Sequence, residues 1–406
     1  MKISFIQPSR NNLKYLKWSY DSIRKNQGDH EVEICVADDF SDDGTNEWCQ
    51  ETSEKDPHFK WIRNHGPTRK GHTILYDELV NEIASHDICM IYHADMYLCP
   101  GALDAVEKHI KEKTIVSLTR IEPPLHPDGP EKILKGFGVE PEEFEEGKLL
   151  EWFTSDYGYE NITKTTEGIF APWAFWKKDF QEIGGHDPLY APQSKEDSDI
   201  FNRFQLNGIE FIQTWEGCVY HMTCRGSRFN PTITEVGTAS NEWVDQNLKS
   251  SRNFIRKWGH FVKHDEMMKP IIPPKYDIGF IVHDCSKQIL HALEPWCSDI
   301  YIAMPNPTDA NSYISEEQKN TKFDLLKRIH PISEKPYNNI LVEFDASKLT
   351  EDNFNQIIAN LSEIITESNE VGEFELDSLK ITINSLETYE KELINLNENK
   401  PYMEVS

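Results

Sequence analysis

Residues 33–45 read Glu33-Ile34-Cys35-Val36-Ala37-Asp38-Asp39-Phe40-Ser41-Asp42-Asp43-Gly44-Thr45. An apolar, partly β-branched run ends in two carboxylates, and an Asp/Gly turn then leads into a helical pattern from Thr45 to Thr52. The same alternation repeats on either side. Strand patterns occur at Ile3 to Gln7, Glu33 to Ala37, Phe59 to Arg63, Ile88 to His93 and Ile115 to Thr119. Helical patterns occupy Leu13 to Lys25, His72 to Ala84 and Ala102 to Glu112, the last opened by Pro100 and Gly101. Strands alternating with helices build a mostly parallel, Rossmann-like α/β sheet, and its ligand crevice lies at the strand C-termini.

Glu122 to Lys148 is rich in Pro, Gly and Glu and reads as a surface excursion. Apolar and aromatic density returns at Ile169 to Phe180, and a helix from about Asn241 to Trp258 is expected to close a first domain spanning 1–265. Pro270 to Pro274 mark a linker. Beyond it, Ile278 to Val282, Lys287 to Leu293, Ile300 to Ala303 and Ile340 to Phe344 predict a smaller α/β domain over 275–370. It carries no recognisable ligand motif, which suits assembly or acceptor positioning. Residues 371–406 read as an acidic tail, helical or loosely held.

Acidic residues outnumber basic ones, 69 to 42, for a net charge of −27. Such a chain repels nucleic acid backbones, whose binding needs clustered Lys and Arg. The eight cysteines are scattered without a C-x-x-C pair, as expected of reduced thiols. No apolar run approaches the roughly 18 residues that span a bilayer, and the first residues read as a strand rather than a signal peptide. The expectation is a cytoplasmic protein without a transmembrane segment.

Candidate chemistry gathers at the strand ends. Asp38 and Asp39 can accept hydrogen bonds from ribose or a base, or can simply cap the turn. Asp95, in Met90-Ile91-Tyr92-His93-Ala94-Asp95-Met96, suits a divalent cation whose shell is completed by phosphates and water. Gly184-Gly185-His186-Asp187 precedes Glu196-Asp197-Ser198-Asp199, an acidic cluster at a helix start where the macrodipole favours negative charge. His221 ends the apolar run Gly217-Cys218-Val219-Tyr220-His221.

Taken in order, Pro8-Ser9-Arg10-Asn11, the Asp38 to Thr45 block, His93-Ala94-Asp95, Gly184-Gly185, Glu196-Asp197 and His221 resemble the family 2 glycosyltransferases and their GT-A relatives over roughly residues 1–260. The resemblance implies that Asp39 contacts the nucleotide, with Pro8 and Arg10 lining that pocket. Asp95 matches the last acid of the D-x-D metal motif, and His93 stands where the family carries its first Asp, a residue that touches ribose or metal. It further implies Asp197 as catalytic base, Glu196 as its acceptor-binding neighbour and His221 as a completing metal ligand. Trp173, with Trp152 and Trp176, is a candidate for stacking on an acceptor sugar, the other reading of such a Trp being core. The expected reaction is metal-dependent, inverting transfer from a UDP- or GDP-sugar to a carbohydrate or glycoconjugate hydroxyl. Mn²⁺ or Mg²⁺ would serve, a mixed oxygen and imidazole shell leaning toward Mn²⁺, and self-association into a homo-oligomer stays open. The alternatives are a nucleotidyltransferase, disfavoured because Pro8 to Asn12 carries no glycine, and a catalytically inactive carbohydrate-binding protein on the same fold.

Overall fold

The computed structural model describes residues 1–157, 161, 163–224, 239–304, 306 and 308–397. The chain divides into two compact units, one of residues 1–246 and 264–270, the other of 247–263 and 271 onward. The helix Asn241–Trp258, expected to close the first domain, contributes Asn247 onward to the second unit.

The first unit holds a ten-stranded sheet. Its strands are β1 (Lys2–Ser9), β2 (Glu31–Asp39), β3 (Phe59–Asn64), β4 (Ile88–Ile91), β5 (Met96–Leu98), β6 (Thr114–Glu122), β7 (Ile133–Leu134), β8 (Thr165–Thr166), β9 (Trp173–Trp176) and β10 (Glu210–His221). The main path runs β3-β2-β1-β4-β9-β6-β10-β5, with β7 beside β6 and β8 beside β10. Strands β1 to β4 pair in parallel, and β9 enters antiparallel between β4 and β6. Ile3, Phe5, Ile6, Ile34, Cys35 and Val36 are fully buried, as central strands covered on both faces require.

Register aligns the strand ends that carry chemistry. Ser9 pairs with Asp38 and Ile6 with Ile91, so the segments after β1, β2 and β4 open along one edge. On the far side β10 pairs antiparallel with β5, His221 opposite Met96, which brings a residue far along the chain beside Asp95.

The stretch expected to be a surface excursion is partly core. Phe137 is buried with Tyr97, Cys218 and Tyr220, and Ile133 and Phe144 pack on the same cluster, the Phe144 ring 4.9 Å from that of Tyr97. Three aromatic and aliphatic anchors spaced among Pro, Gly and Glu suffice to pin an irregular segment.

The second unit forms a six-stranded sheet of β11 (Ile278–His283), β12 (Asp299–Ile302), β13 (Ile329–Pro331), β14 (Ile340–Asp345), β15 (Gly372–Leu376) and β16 (Leu379–Ile383), in the order β13-β12-β11-β14-β16-β15. Strands β11 to β14 are parallel, while β15 and β16 form an antiparallel hairpin on β14. That hairpin lies in the segment read as a helical or loosely held tail, of which residues 398–406 lie outside the described residues. Leu379, Ile381 and Ile383 alternate inward against the core, the period of a strand and not of a helix. A buried ionic knot supports the unit: Glu294 accepts from Arg256 at 2.6 and 3.0 Å, from Arg328 at 3.1 Å and from the Tyr313 hydroxyl at 2.9 Å. Among the described residues, no helix is long and apolar enough to cross a membrane.

Candidate active site

His93, Asp95 and His221 meet at the sheet edge, each offering a ligand atom within 4.8 Å of the others. His93 and Asp95 lie in the short link between β4 and β5, and His221 ends β10. The His221 Nε2 lies 3.4 Å from Asp95 Oδ2, the two imidazole rings are 5.9 Å apart, and the Met222 amide donates to the Asp95 carbonyl. Burial above all lowers His93 to about 4, which keeps its ring neutral and able to donate a lone pair. Burial opposes charge on Asp95 too, yet its surroundings, led by the charge and hydrogen bond of His221, outweigh it and hold the carboxyl below its ordinary value. Two imidazoles and one carboxylate, His93 half-buried and the other two buried, converge as a donor set that fits a divalent transition metal. The sequence reading placed His93 on the nucleotide side while leaving a metal contact open; the structure groups it with the two metal candidates.

Asp39 is engaged in shaping a loop. Its Oδ1 accepts from Asn64 Nδ2 at 2.8 Å and from the Lys70 amide at 3.0 Å, its Oδ2 accepts from the Gly71 amide at 2.9 Å, and Arg69 Nε lies 3.7 Å away. Burial works against the charged form, but these donors prevail and Asp39 sits below its usual value. The loop closes tightly on the segment ahead of the acidic helix. Gly71 has φ 76, and a Cβ there would stand 2.1 Å from the Pro192 carbonyl oxygen, so only glycine fits. Asp38 accepts from the Ser41 amide, and Asp43 accepts from the amides of Leu13 and Thr45. Asn11 bonds Ser41 and Asp42, tying the β1 loop to the β2 loop. Pro8 is half-buried at this edge and Arg10 is exposed.

The helix Glu196–Leu206 carries three acids in its first turn, and the structure separates their roles. Asp199 is fully buried and paired with Arg203 Nε at 2.8 Å, while the same guanidinium donates to the carbonyls of Ile183 and Gly185 at 3.0 and 2.6 Å. That clamp fixes the Gly184-Gly185 turn on the helix. His186 pairs with Asp77 at 2.7 Å, and Asp187 accepts from the Leu189 amide, so both serve local structure. Asp197 is exposed, its Oδ1 accepting from the Ser198 amide at 2.6 Å. Burial first, and then the charge of Asp197, raises Glu196 well above the carboxylate range. Burial also raises the Tyr76 hydroxyl, with further upward contributions from Glu196, Asp197 and Asp95. The acids of the helix start and of the β4 edge therefore act on one common group.

Trp173 is not available to a sugar. It is 3% exposed and packs edge-on against Phe201 and Phe204 at 5.6 and 5.9 Å, because its strand β9 is inserted in mid-sheet. Conversely, the sequence reading missed Glu122, which receives His221 Nδ1 at 2.8 Å, and the loop residues Asn64, Arg69, Lys70 and Gly71 around Asp39. Glu122 ends a strand just as Asp39 does, and that signal was legible.

Residues 4–176 match the model of the family described as "Glycosyl transferase family 2". The match and the sheet agree with the GT-A type of α/β fold expected from the sequence, followed by a second, smaller sheet. Similar solved structures include GalNAc-T7 with UDP, GalNAc and Mn²⁺, at 13% identity and a TM-score of 0.45, covering 63% of this chain and 48% of that chain. Another is S. aureus TarS 1–349 in complex with UDP, at 13% identity and a TM-score of 0.41, covering 95% of this chain and 98% of that chain. The mannosyltransferase PcManGT from Pyrobaculum calidifontis, in complex with GDP-Man and Mn²⁺, is similar at 15% identity and a TM-score of 0.40, over 61% of each chain. No curated protein matches the chain in sequence.

Proposed function

We propose, with the family 2 domain as premise, that this glycosyltransferase moves a sugar from a UDP- or GDP-sugar to a carbohydrate or glycoconjugate hydroxyl, with inversion and with a divalent metal, Mn²⁺ ahead of Mg²⁺. The observation that carries the reading is the convergence of His93, Asp95 and His221 on the strand edge that also presents the Asp39 loop. His93, Asp95 and His221 would hold the ion. When bound, it supplies positive charge against the leaving diphosphate.

The protein's own groups do the rest. Asp39 holds the Asn64 to Gly71 loop as the wall of the nucleoside pocket, with Pro8 and Arg10 at its mouth. Asp197, exposed at the helix start, takes the proton of the acceptor hydroxyl as that oxygen forms its bond to the anomeric carbon. The bond from that carbon to the diphosphate oxygen breaks on the opposite side, and the nucleoside diphosphate leaves. Glu196, whose raised value favours the protonated form, donates a hydrogen bond to the acceptor beside Asp197. The eight cysteines are buried, which suits a reducing compartment, and a cytoplasmic site of action is part of the reading.

Calorimetry with UDP and with GDP, each in Mn²⁺, in Mg²⁺ and in excess EDTA, tests the assignment. Binding should require the ion, and equal affinity in EDTA would sink the metal reading. His93→Ala should weaken Mn²⁺ binding to the protein without nucleotide; unchanged affinity would return His93 to the nucleotide.

A further inference from the structure

We infer that Glu122 is a positioning residue for the metal centre, an inference that rests on the reading of His221 as a metal ligand. A carboxylate only accepts, so the 2.8 Å contact requires the proton on His221 Nδ1 and turns Nε2 toward Asp95 and His93. The orientation is built into the sheet. Arg120 pairs with Val219 and Ile121 with Tyr220 across β6 and β10, so the next rung sets Glu122 opposite His221.

Glu122 is itself held in place. It is buried, and its carboxylate receives Arg120 at 2.9 Å and Lys132 at 3.2 Å. Arg120 in turn bonds Glu131 and lies over the Phe170 ring at 3.9 Å. The anion thus stays charged in a buried place and its oxygen stays fixed on the imidazole. A His221 side chain without it could rotate about its ring axis or adopt the other tautomer, and each loses the Nε2 donor.

The test is a double-mutant cycle on Mn²⁺ affinity, measured by calorimetry on the full chain without nucleotide, with melting temperature alongside. Glu122→Gln should weaken Mn²⁺ about tenfold or more, the usual scale for an outer partner of a ligating histidine. In a His221→Ala background the same change should do nothing further. Equal weakening in both backgrounds would mark Glu122 as a purely structural ion-pair residue and overturn the inference, as would full affinity in the single variant. Should His221→Ala itself bind Mn²⁺ normally, the reading of His221 as ligand fails, and this inference with it. If Glu122→Gln does not fold, Glu122→Asp carries the same test, because it keeps the charge for Arg120 and Lys132 and withdraws the oxygen from His221 by one methylene.

Discussion

Two acids two residues apart, Asp197 and Asp199, should fail in opposite ways when each is changed to Asn. Asp199 and Arg203 are both 0% exposed and meet at 2.8 Å. Removing the charge from Asp199 leaves a buried guanidinium held only by two backbone carbonyls and an amide. Breaking a buried pair costs about 3–5 kcal/mol. The remaining carbonyl contacts put Asp199→Asn at the low end, and at about 2–4 °C per kcal/mol for a unit of this size the melting temperature should drop by roughly 6–12 °C. Asp197 lies on the surface, so Asp197→Asn should stay within about 0.5 kcal/mol of the parent. It removes the proton acceptor, however, and transfer should fall by roughly 100-fold or more.

Thermal unfolding and a nucleotide-release assay on the two purified variants decide the matter. The expected pattern is a stable, nearly inactive Asp197→Asn protein with donor affinity retained, and a destabilised Asp199→Asn protein. Near-normal transfer by Asp197→Asn would reject its role as base, for Asn is also a good residue at a helix start. An unshifted melting temperature for Asp199→Asn would show that the buried pair contributes nothing.

Trp173→Ala should cost about 3–5 kcal/mol by opening a cavity against Phe201 and Phe204, while acceptor KM in the folded fraction stays unchanged; a selective KM rise would restore its sugar-stacking role. Asp39→Asn turns one acceptor into a donor facing the amides of the Lys70-Gly71 loop, so hydrogen exchange at those two amides should quicken and nucleoside diphosphate affinity should fall about tenfold. Unchanged exchange would refute the loop-holding role. Glu294 is lowered to about 2, because the arginines led by Arg256 outweigh its burial. Since the folded value lies below the ordinary 4.5, this stabilisation is complete above that pH and is lost as pH falls toward 2. Acid unfolding of the second unit should therefore be shallower in Glu294→Gln, and an identical acid limb would refute the assignment.

What could be read in advance depended on whether burial left a one-dimensional trace. β1 and β2 are covered on both faces and show as largely apolar runs, while β3, half-buried after Phe59, still shows through Phe59, Trp61 and Ile62, and the ends of all three fall within a few residues of the expected positions. β11 and β12 are legible for the same reason, and β14 by its alternation, with Ile340, Val342 and Phe344 buried. The insertion of β9 between β4 and β6 left no such trace, since its neighbours are set by pairing between segments some 60 to 90 residues apart in sequence. That insertion is what buries Trp173, whose aromatic surroundings in sequence serve a core and a sugar platform equally well. The β15-β16 hairpin was hidden because Glu373 and Glu375 occupy the outward positions of an edge strand, so its composition is that of an acidic tail while its period is that of a sheet.

Glu122 tests the reasoning most closely, because a carboxylate at a strand end was the very signal used for Asp39 and Asp95. It was missed because it opens the stretch Glu122 to Lys148, read as a surface excursion for its Pro, Gly and Glu, with Pro123 and Pro124 directly after it. The prolines do end the strand, and by ending it there they leave Glu122 as its last rung, opposite the last rung of β10. The chemistry of a strand-end acid is thus decided by the strand beside it. Asp39 meets backbone amides and shapes a loop, Asp95 meets two imidazoles and forms a donor set, and Glu122 meets one imidazole and two cations and can only orient.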